Sequence, residues 1–415
     1  MKSMSTAVQR NTSQASNSKF RKPELIFRIE KLVSGDPLND FAILPKETGI
    51  IAVYEDRSVR VLLRRDNGQF WPSVCQFLSS PCSSLAYSEE SRSLFVGCDS
   101  GLVSEFSLAE DYNSVELRRE YQAHNGRVTA CIHAIHQEWV ITCAKDRYLV
   151  WHSVQTGRRC GSYLAGAPCT ALQYDHPTRY AFLSDQSGVV TILRLTENSL
   201  ELINVLKGHS AAVTDLAWDA RRNQLYSASQ DNAVIMWDIG GGEGKAYELQ
   251  AHRGSVNSLV FAATSRECIS AGSDGNLVFW CMSVPRRETP SWSESDVCSK
   301  CGVPFFWNLR KMWSDKRVGT RQHHCRRCGA AVCDACSQRR TALPPMGFEY
   351  SVRVCDDCHA EVTPDDLTPL AAVFEAKQDV QKMALCETRR WLLSLGKEGT
   401  VKVWDLASVL LPRAD

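Results

Sequence analysis

The chain has 415 residues, 44% of them hydrophobic, with 48 Lys+Arg against 47 Asp+Glu. That length and apolar content predict a globular, composite protein. The near-zero net charge excludes a molecule built as a whole to bind nucleic acid or an acidic surface, so any charged function must be local.

No run approaches the roughly 18 apolar residues of a membrane-spanning helix. The start, MKSMSTAVQRNTSQASNSKF, lacks the apolar centre of a secretory signal and the apolar stripe of a transit peptide. Residues 1–22 are therefore expected to be a disordered tail, and the chain to be cytosolic. Further along, a pattern recurs: a His after a small or apolar residue, two short strand-like runs, a turn with Asp, then an alternating strand ending in Trp. The clear copies are QAHNGRVTACIH…TCAKDRYLVW (122–151), KGHSAAVTDLAW…SASQDNAVIMWD (207–238) and QAHRGSVNSLVF…SAGSDGNLVFW (250–280). In the last two, His209 and His252 precede Trp237 and Trp280 by 28 positions, and Asp231 and Asp274 lie six before the same tryptophans.

This pattern is similar to the WD40 repeat, a four-stranded propeller blade in which His, Asp and Trp are tied to a strand Ser/Thr. The histidines at this spacing, His124 included, are read as hydrogen-bonding groups within a blade and not as ligands or bases. Weaker copies follow the same ruler. The Trp-equivalent positions are Leu62, Phe106, Trp151, Ile192, Trp237, Trp280 and Trp404, with gaps of 41–45 and then one of 124. Blades one, two and four lack the full set, and Glu398 stands where Asp is usual. Because a propeller must close, ELIFRIEKL (24–32) is expected to supply the outer strand of the last blade.

The long gap holds eight of the 18 cysteines: Cys298, Cys301, Cys325, Cys328, Cys333, Cys336, Cys355 and Cys358, four Cys-x-x-Cys pairs within 61 positions. Such a knuckle lets two thiolates converge on one tetrahedral ion, so four knuckles predict two zinc ions with all-cysteine ligation. The other ten, such as Cys75, Cys131 and Cys268, read as small core residues. From Arg310 to Arg340 there are nine Lys/Arg and two acids, Asp315 and Asp334, which makes a basic face on a balanced protein.

TRQHHCRRCG (320–329) resembles the FYVE signature, Arg-(Arg/Lys)-His-His-Cys-Arg, that binds phosphatidylinositol 3-phosphate, and SVRVCDDC (351–358) resembles that family's Arg-Val-Cys signature. The resemblance covers about residues 291–362. It implies a head-group pocket of Arg321, His323, His324 and Arg326 with Arg353. It also implies crossed ligation: Cys298 and Cys301 with Cys333 and Cys336, and Cys325 and Cys328 with Cys355 and Cys358. Gln322 replaces the second basic residue, and the family's Trp-x-x-Asp appears as Trp292…Asp296 with the acid shifted by one. The long stretch GVPFFWNLRKMWSDKRVGT (302–320) either reaches into the membrane or packs on the propeller.

The expected architecture is all-β: a seven-bladed WD40 β-propeller with a two-zinc FYVE module inserted between blades six and seven. Repeats one to six span 23–284, the module 285–366 and the closing repeat 367–415. This order resembles the small WD-repeat and FYVE-domain-containing proteins. The resemblance implies a non-enzymatic adaptor, peripheral on early endosomal membranes, whose propeller takes protein partners such as signalling kinases, with homodimerisation open to it. Two rival readings are a RING-type ubiquitin ligase and a zinc-module nucleic-acid reader. RING sites usually include a ligand histidine, and no recognition helix or aromatic stacking pattern accompanies the basic face.

Overall fold

The structure is a computed structural model that describes residues 22–29, 37–44, 48–65, 69–240 and 244–410. Most of the expected tail, residues 1–21, and the end of the first strand segment, residues 30–32, lie outside them.

Seven four-stranded antiparallel sheets form among the described residues. Blade one is built from Leu38–Ile43, Gly49–Tyr54, Ser58–Arg64 and Phe70–Phe77, and blades two to five repeat that order. The first strands of neighbouring blades touch all the way round, with Val380–Cys386 of blade seven against Leu38–Ile43 of blade one. Second strands such as Gly49–Tyr54, Ser93–Cys98 and Trp139–Ala144 are buried at every position. Each is covered on both faces by the adjacent blades, which is why they read as continuous apolar runs. The fourth strands lie on the rim, and those of blades one, two and four are largely exposed, as in Phe70–Phe77. Cys131 and Cys268 are core residues as expected, but Cys75 is exposed because it falls on such a rim strand.

All seven positions on the tryptophan ruler are buried. In blade five His209 joins Asp231 through Nδ1 (2.9 Å) and Ser227 through Nε2 (2.7 Å), and Trp237 Nε1 donates to the same Ser227 oxygen at 2.9 Å. Blade six repeats this with His252, Asp274, Ser270 and Trp280. Blade three keeps His124, Thr142 and Asp146, but Trp151 Nε1 donates instead to the Thr196 carbonyl of blade four. In blade seven Gln378 takes the histidine's place, donating to Ser394 Oγ at 2.9 Å beside Trp404 Nε1 at 2.8 Å. Blade four lacks His and Trp, and Ser187 stands before the positive-φ turn residue Gly188 where blades three, five and six place Asp; Asp185, two residues earlier, accepts instead from the backbone of Ser187 and Val189.

The ring closes through the N-terminal strand Glu24–Ile29, which pairs antiparallel with Val401–Asp405 from Glu24↔Asp405 to Ile29↔Val401. Blades and repeats are thus one strand out of phase. The same offset acts at blade six: its third strand, Asn276–Cys281, pairs with Ala371–Glu375. The inserted module does lie between the sixth and seventh tryptophan strands. More finely, it joins the third and fourth strands of blade six, and residues 371–375 of the stretch assigned to repeat seven complete that blade. The ends of the insert meet directly, with Cys281 N donating to Leu370 O at 2.8 Å.

The module is also docked on the rim. Phe348 bridges Gln250, just beyond the fourth strand of blade five, and Gln250 N donates to Gly347 O at 2.8 Å while Glu349 N donates to Gln250 O at 3.1 Å. Gly347 has φ +91°, and a β-carbon there would sit 1.8 Å from Glu248 O, so only glycine permits this approach. Arg286 Nη1 donates to Pro344 O at 2.9 Å and lies 3.9 Å from Glu349, both side chains being almost fully buried.

Two outcomes follow from this architecture. Cutting the chain after Val362 should abolish a cooperative thermal transition, because blade six loses one strand and blade seven three. Replacing residues 287–366 with a short flexible linker should preserve that transition, since the ends already touch; a well-folded monomeric 1–362 fragment would contradict the ring. In the linker-replaced chain the acid limb should report Asp274. Burial works to raise its pKa, yet His252 and the backbone of Arg253 hold it at about 2, against an ordinary 3.8. Its stabilisation is therefore complete above the ordinary value and lost as pH falls toward 2. Asp274→Asn should destabilise at neutral pH and converge with the parent near pH 2 in thermal melts.

Candidate metal centres and basic surface

The eight thiols fall into two groups, Cys298, Cys301, Cys333 and Cys336, and Cys325, Cys328, Cys355 and Cys358, the sulfurs of each lying within 4.8 Å of one another. This is the crossed pairing that the resemblance implies. Cys301 Sγ is 3.6 Å from Cys333 Sγ, and Cys328 Sγ is 4.0 Å from Cys355 Sγ. A tetrahedral zinc with bonds of about 2.3 Å sets its sulfurs about 3.8 Å apart, so both cradles fit the ion. Backbone N–H groups point at the buried sulfurs: Cys333 N at Cys298 (3.3 Å) and Cys355 N at Cys325 (3.2 Å). Burial alone would push the Cys298 thiol up, but the N–H groups of Cys301, Cys333 and Lys300 hold it down at about 7. The module's core is assembled on these cysteines, with Phe305, Val332, Leu343, Phe348 and Val354 packed among them.

The cradles position the basic residues. His323–His324 forms a short strand against Ala331–Val332. Arg326 N donates to Arg353 O at 3.0 Å, which stitches the first signature to the strand Phe348–Arg353, and Arg353 sits opposite Arg340 in the next strand. Burial first, then the charges of Arg353, Arg321 and Arg340, hold the His323 pKa below the ordinary value, with Asp334 acting in the opposite sense. His324 and Arg326 face Trp292. The His324 ring stacks on the indole at 4.7 Å and 10°, and the Arg326 guanidinium carbon is 4.6 Å from its centroid.

The five expected pocket residues thus fall in two sets, His323 with Arg353 and Arg321, and His324 with Arg326 on Trp292. The sequence shows Arg340 and Asp334 only as part of a charge count and Trp292 only as part of a motif; their places beside Arg353 and under His324 come from the fold. Asp296 is engaged elsewhere, accepting from Trp307 Nε1 at 2.9 Å. Arg327, beside Arg326 in the signature, turns away to Glu361 (2.8 Å) and Cys358 O (3.1 Å) and is structural. The long stretch does not cover its apolar side chains with the propeller. Phe305 is buried in the module, whereas Phe306, Trp307, Leu309 and Val318 are exposed and Trp313 is 88% exposed. A short helix, Leu309–Asp315, capped by the Asn308 side chain at Lys311 N, carries Leu309 and Trp313 one turn apart.

A FYVE zinc finger profile matches residues 290–364, and a WD domain, G-beta repeat profile matches 200–238 and 244–281. The chain is 46% identical over 390 residues to WD repeat and FYVE domain-containing protein 2 of Homo sapiens, covering 94% of this chain and 97% of that protein. It is 42% identical over 389 residues to WD repeat and FYVE domain-containing protein 1 of Mus musculus, covering 94% of each. The WD40 beta propeller domain of Doa1 is similar in fold, with TM-score 0.59 at 12% identity over 93% of this chain and 97% of that one. The FYVE match over both cysteine clusters leaves the RING-type reading without support.

Elemental analysis should return two zinc ions per chain, and absorption spectroscopy an all-sulfur shell. Chelation should melt the module while leaving the propeller transition in place, because the two cores are separate. The matches over nearly the whole length, together with two all-cysteine cradles in a module inserted into a closed ring, make the chain a member of the WD repeat and FYVE domain-containing family, non-enzymatic adaptors that join a phosphoinositide-binding zinc finger to a protein-binding propeller.

Proposed function

We propose that the chain binds phosphatidylinositol 3-phosphate through Arg321, His323, His324, Arg326 and Arg353, attaches peripherally to early endosomal membranes, and holds signalling proteins, kinases among them, on its propeller. The observation that carries this reading is the convergence of guanidiniums and imidazoles on a surface whose backbone is pinned by two metal cradles. A phosphomonoester and a phosphodiester on one ring call for several fixed donors. Arg supplies paired, planar hydrogen bonds where Lys supplies a point charge. No helix among the described residues is long and apolar enough to cross a membrane. Leu309, Trp313 and Val318 instead offer a shallow apolar tip, and Trp suits the interface.

One head group and a shallow tip give reversible attachment, because stable residence takes two signals. The second is a protein bound by the propeller or a second copy of the chain.

Vesicle flotation across the phosphoinositides tests the reading. Arg326→Ala should abolish preference for the 3-phosphate with both zinc ions retained. Trp313→Ala should weaken binding by about tenfold, the loss expected for one aromatic removed from an apolar phase, without changing which lipid is preferred. Preserved selectivity in Arg326→Ala would refute the pocket.

A further inference from the structure

The basic surface contains an anion of its own. Asp334 lies between Cys333 and Cys336, two ligands of one cradle, so its backbone is anchored. Its Oδ1 is 2.8 Å from Arg353 Nη1 and 3.9 Å from His323 Nε2, with 65% of the side chain exposed to solvent. Arg353 Nη1 is also held by Ser337, at 2.9 Å from the carbonyl and 3.0 Å from Oγ, and Ser337 is fully buried. The other acid in this basic stretch, Asp315, is on the short helix and paired with Lys311.

We infer that Asp334 occupies the position of a phosphate oxygen on Arg353 and His323, so that a phosphomonoester must displace it and the chain binds its lipid more weakly, and more selectively, than its arginines alone would allow. This rests on the phosphatidylinositol 3-phosphate reading of the site. The carboxylate is not needed to place Arg353, because buried Ser337 supplies two acceptors to the same nitrogen. What it contributes is charge. It satisfies donors that would otherwise bind any anion, and it repels an incoming one. A phosphomonoester dianion brings more charge and more acceptor oxygens than a carboxylate, so it can win the exchange. The singly charged head group of phosphatidylserine offers no more than Asp334 already provides. Asp334 is thus an internal competitor that screens out the abundant anionic lipids.

The test uses the full chain on phosphatidylcholine vesicles carrying either phosphatidylinositol 3-phosphate or phosphatidylserine. Asp334→Asn keeps an acceptor for Arg353 and removes the charge. It should bind phosphatidylinositol 3-phosphate about threefold to tenfold tighter, as expected for one nearby like charge removed, and should gain measurable affinity for phosphatidylserine. Asp365→Asn makes the same change in net charge at an exposed site with no side-chain bond to these arginines, and should do neither. Unchanged or weaker binding by a zinc-loaded Asp334→Asn chain overturns the inference while leaving the lipid reading intact. Failure of the native chain to bind the 3-phosphate lipid overturns both. A second measurement needs no variant: in the native chain with inositol 1,3-bisphosphate bound, the Arg353–Asp334 contact should be open, and a retained contact would overturn the proposal.

Discussion

Closure of the ring is the constraint from which the rest follows. Each blade buries its faces against two neighbours, so no blade can be last without exposing an apolar sheet. The chain meets this by carrying its first strand, Glu24–Ile29, to the far end of the sequence, where it pairs with Val401–Asp405. A one-strand offset at the seam propagates to every blade, and the zinc module interrupts blade six because the chain must come back to finish it. The direct bond between Cys281 and Leu370 leaves the propeller undisturbed by 88 residues of foreign fold.

Inside the module, coordination takes over what apolar packing does in the blades. The buried cysteines are both core and ligand set. Each knuckle fixes the backbone of residues beside it, and so the Arg326 amide can bond the Arg353 carbonyl across the two signatures. Cationic side chains that would repel one another on a flexible loop are thereby held together, and Asp334 relieves part of that repulsion.

Much of this was legible in the sequence because its causes are local. The ruler through Leu62, Phe106 and Ile192 worked without tryptophan, since burial at that point of the third strand demands any large apolar side chain. Knuckle spacing announced the ligands, and the resemblance to a known family supplied their crossed pairing, which order along the chain does not contain. What stayed hidden depends on partners far apart in sequence. The phase of blade six rests on a pairing of Trp280 with Ala371. Arg340 joins the surface only through its register with Arg353, and Trp292 becomes a platform only when His324 stacks on it. Cys75 was misjudged because a rim strand carries apolar residues without burying them. The fate of Trp313 was open because composition does not say which side of an aromatic segment faces water.

The contact at Gly347 has a bearing on mechanics. Backbone meets backbone there, with Glu248 O where a β-carbon would be, and the buried Arg286 bonds Pro344 from the far side of the insert's entry. A finger tethered by two flexible linkers would let the propeller tumble beneath the bilayer. Held at the rim of blade five as well as at both linkers, the propeller has no such swing. In the proposed attachment the disc therefore keeps one orientation to the finger, so that the same arc of blades would face the lipid and the same arc face outward, and whatever binds the outward arc would reach the membrane already aimed.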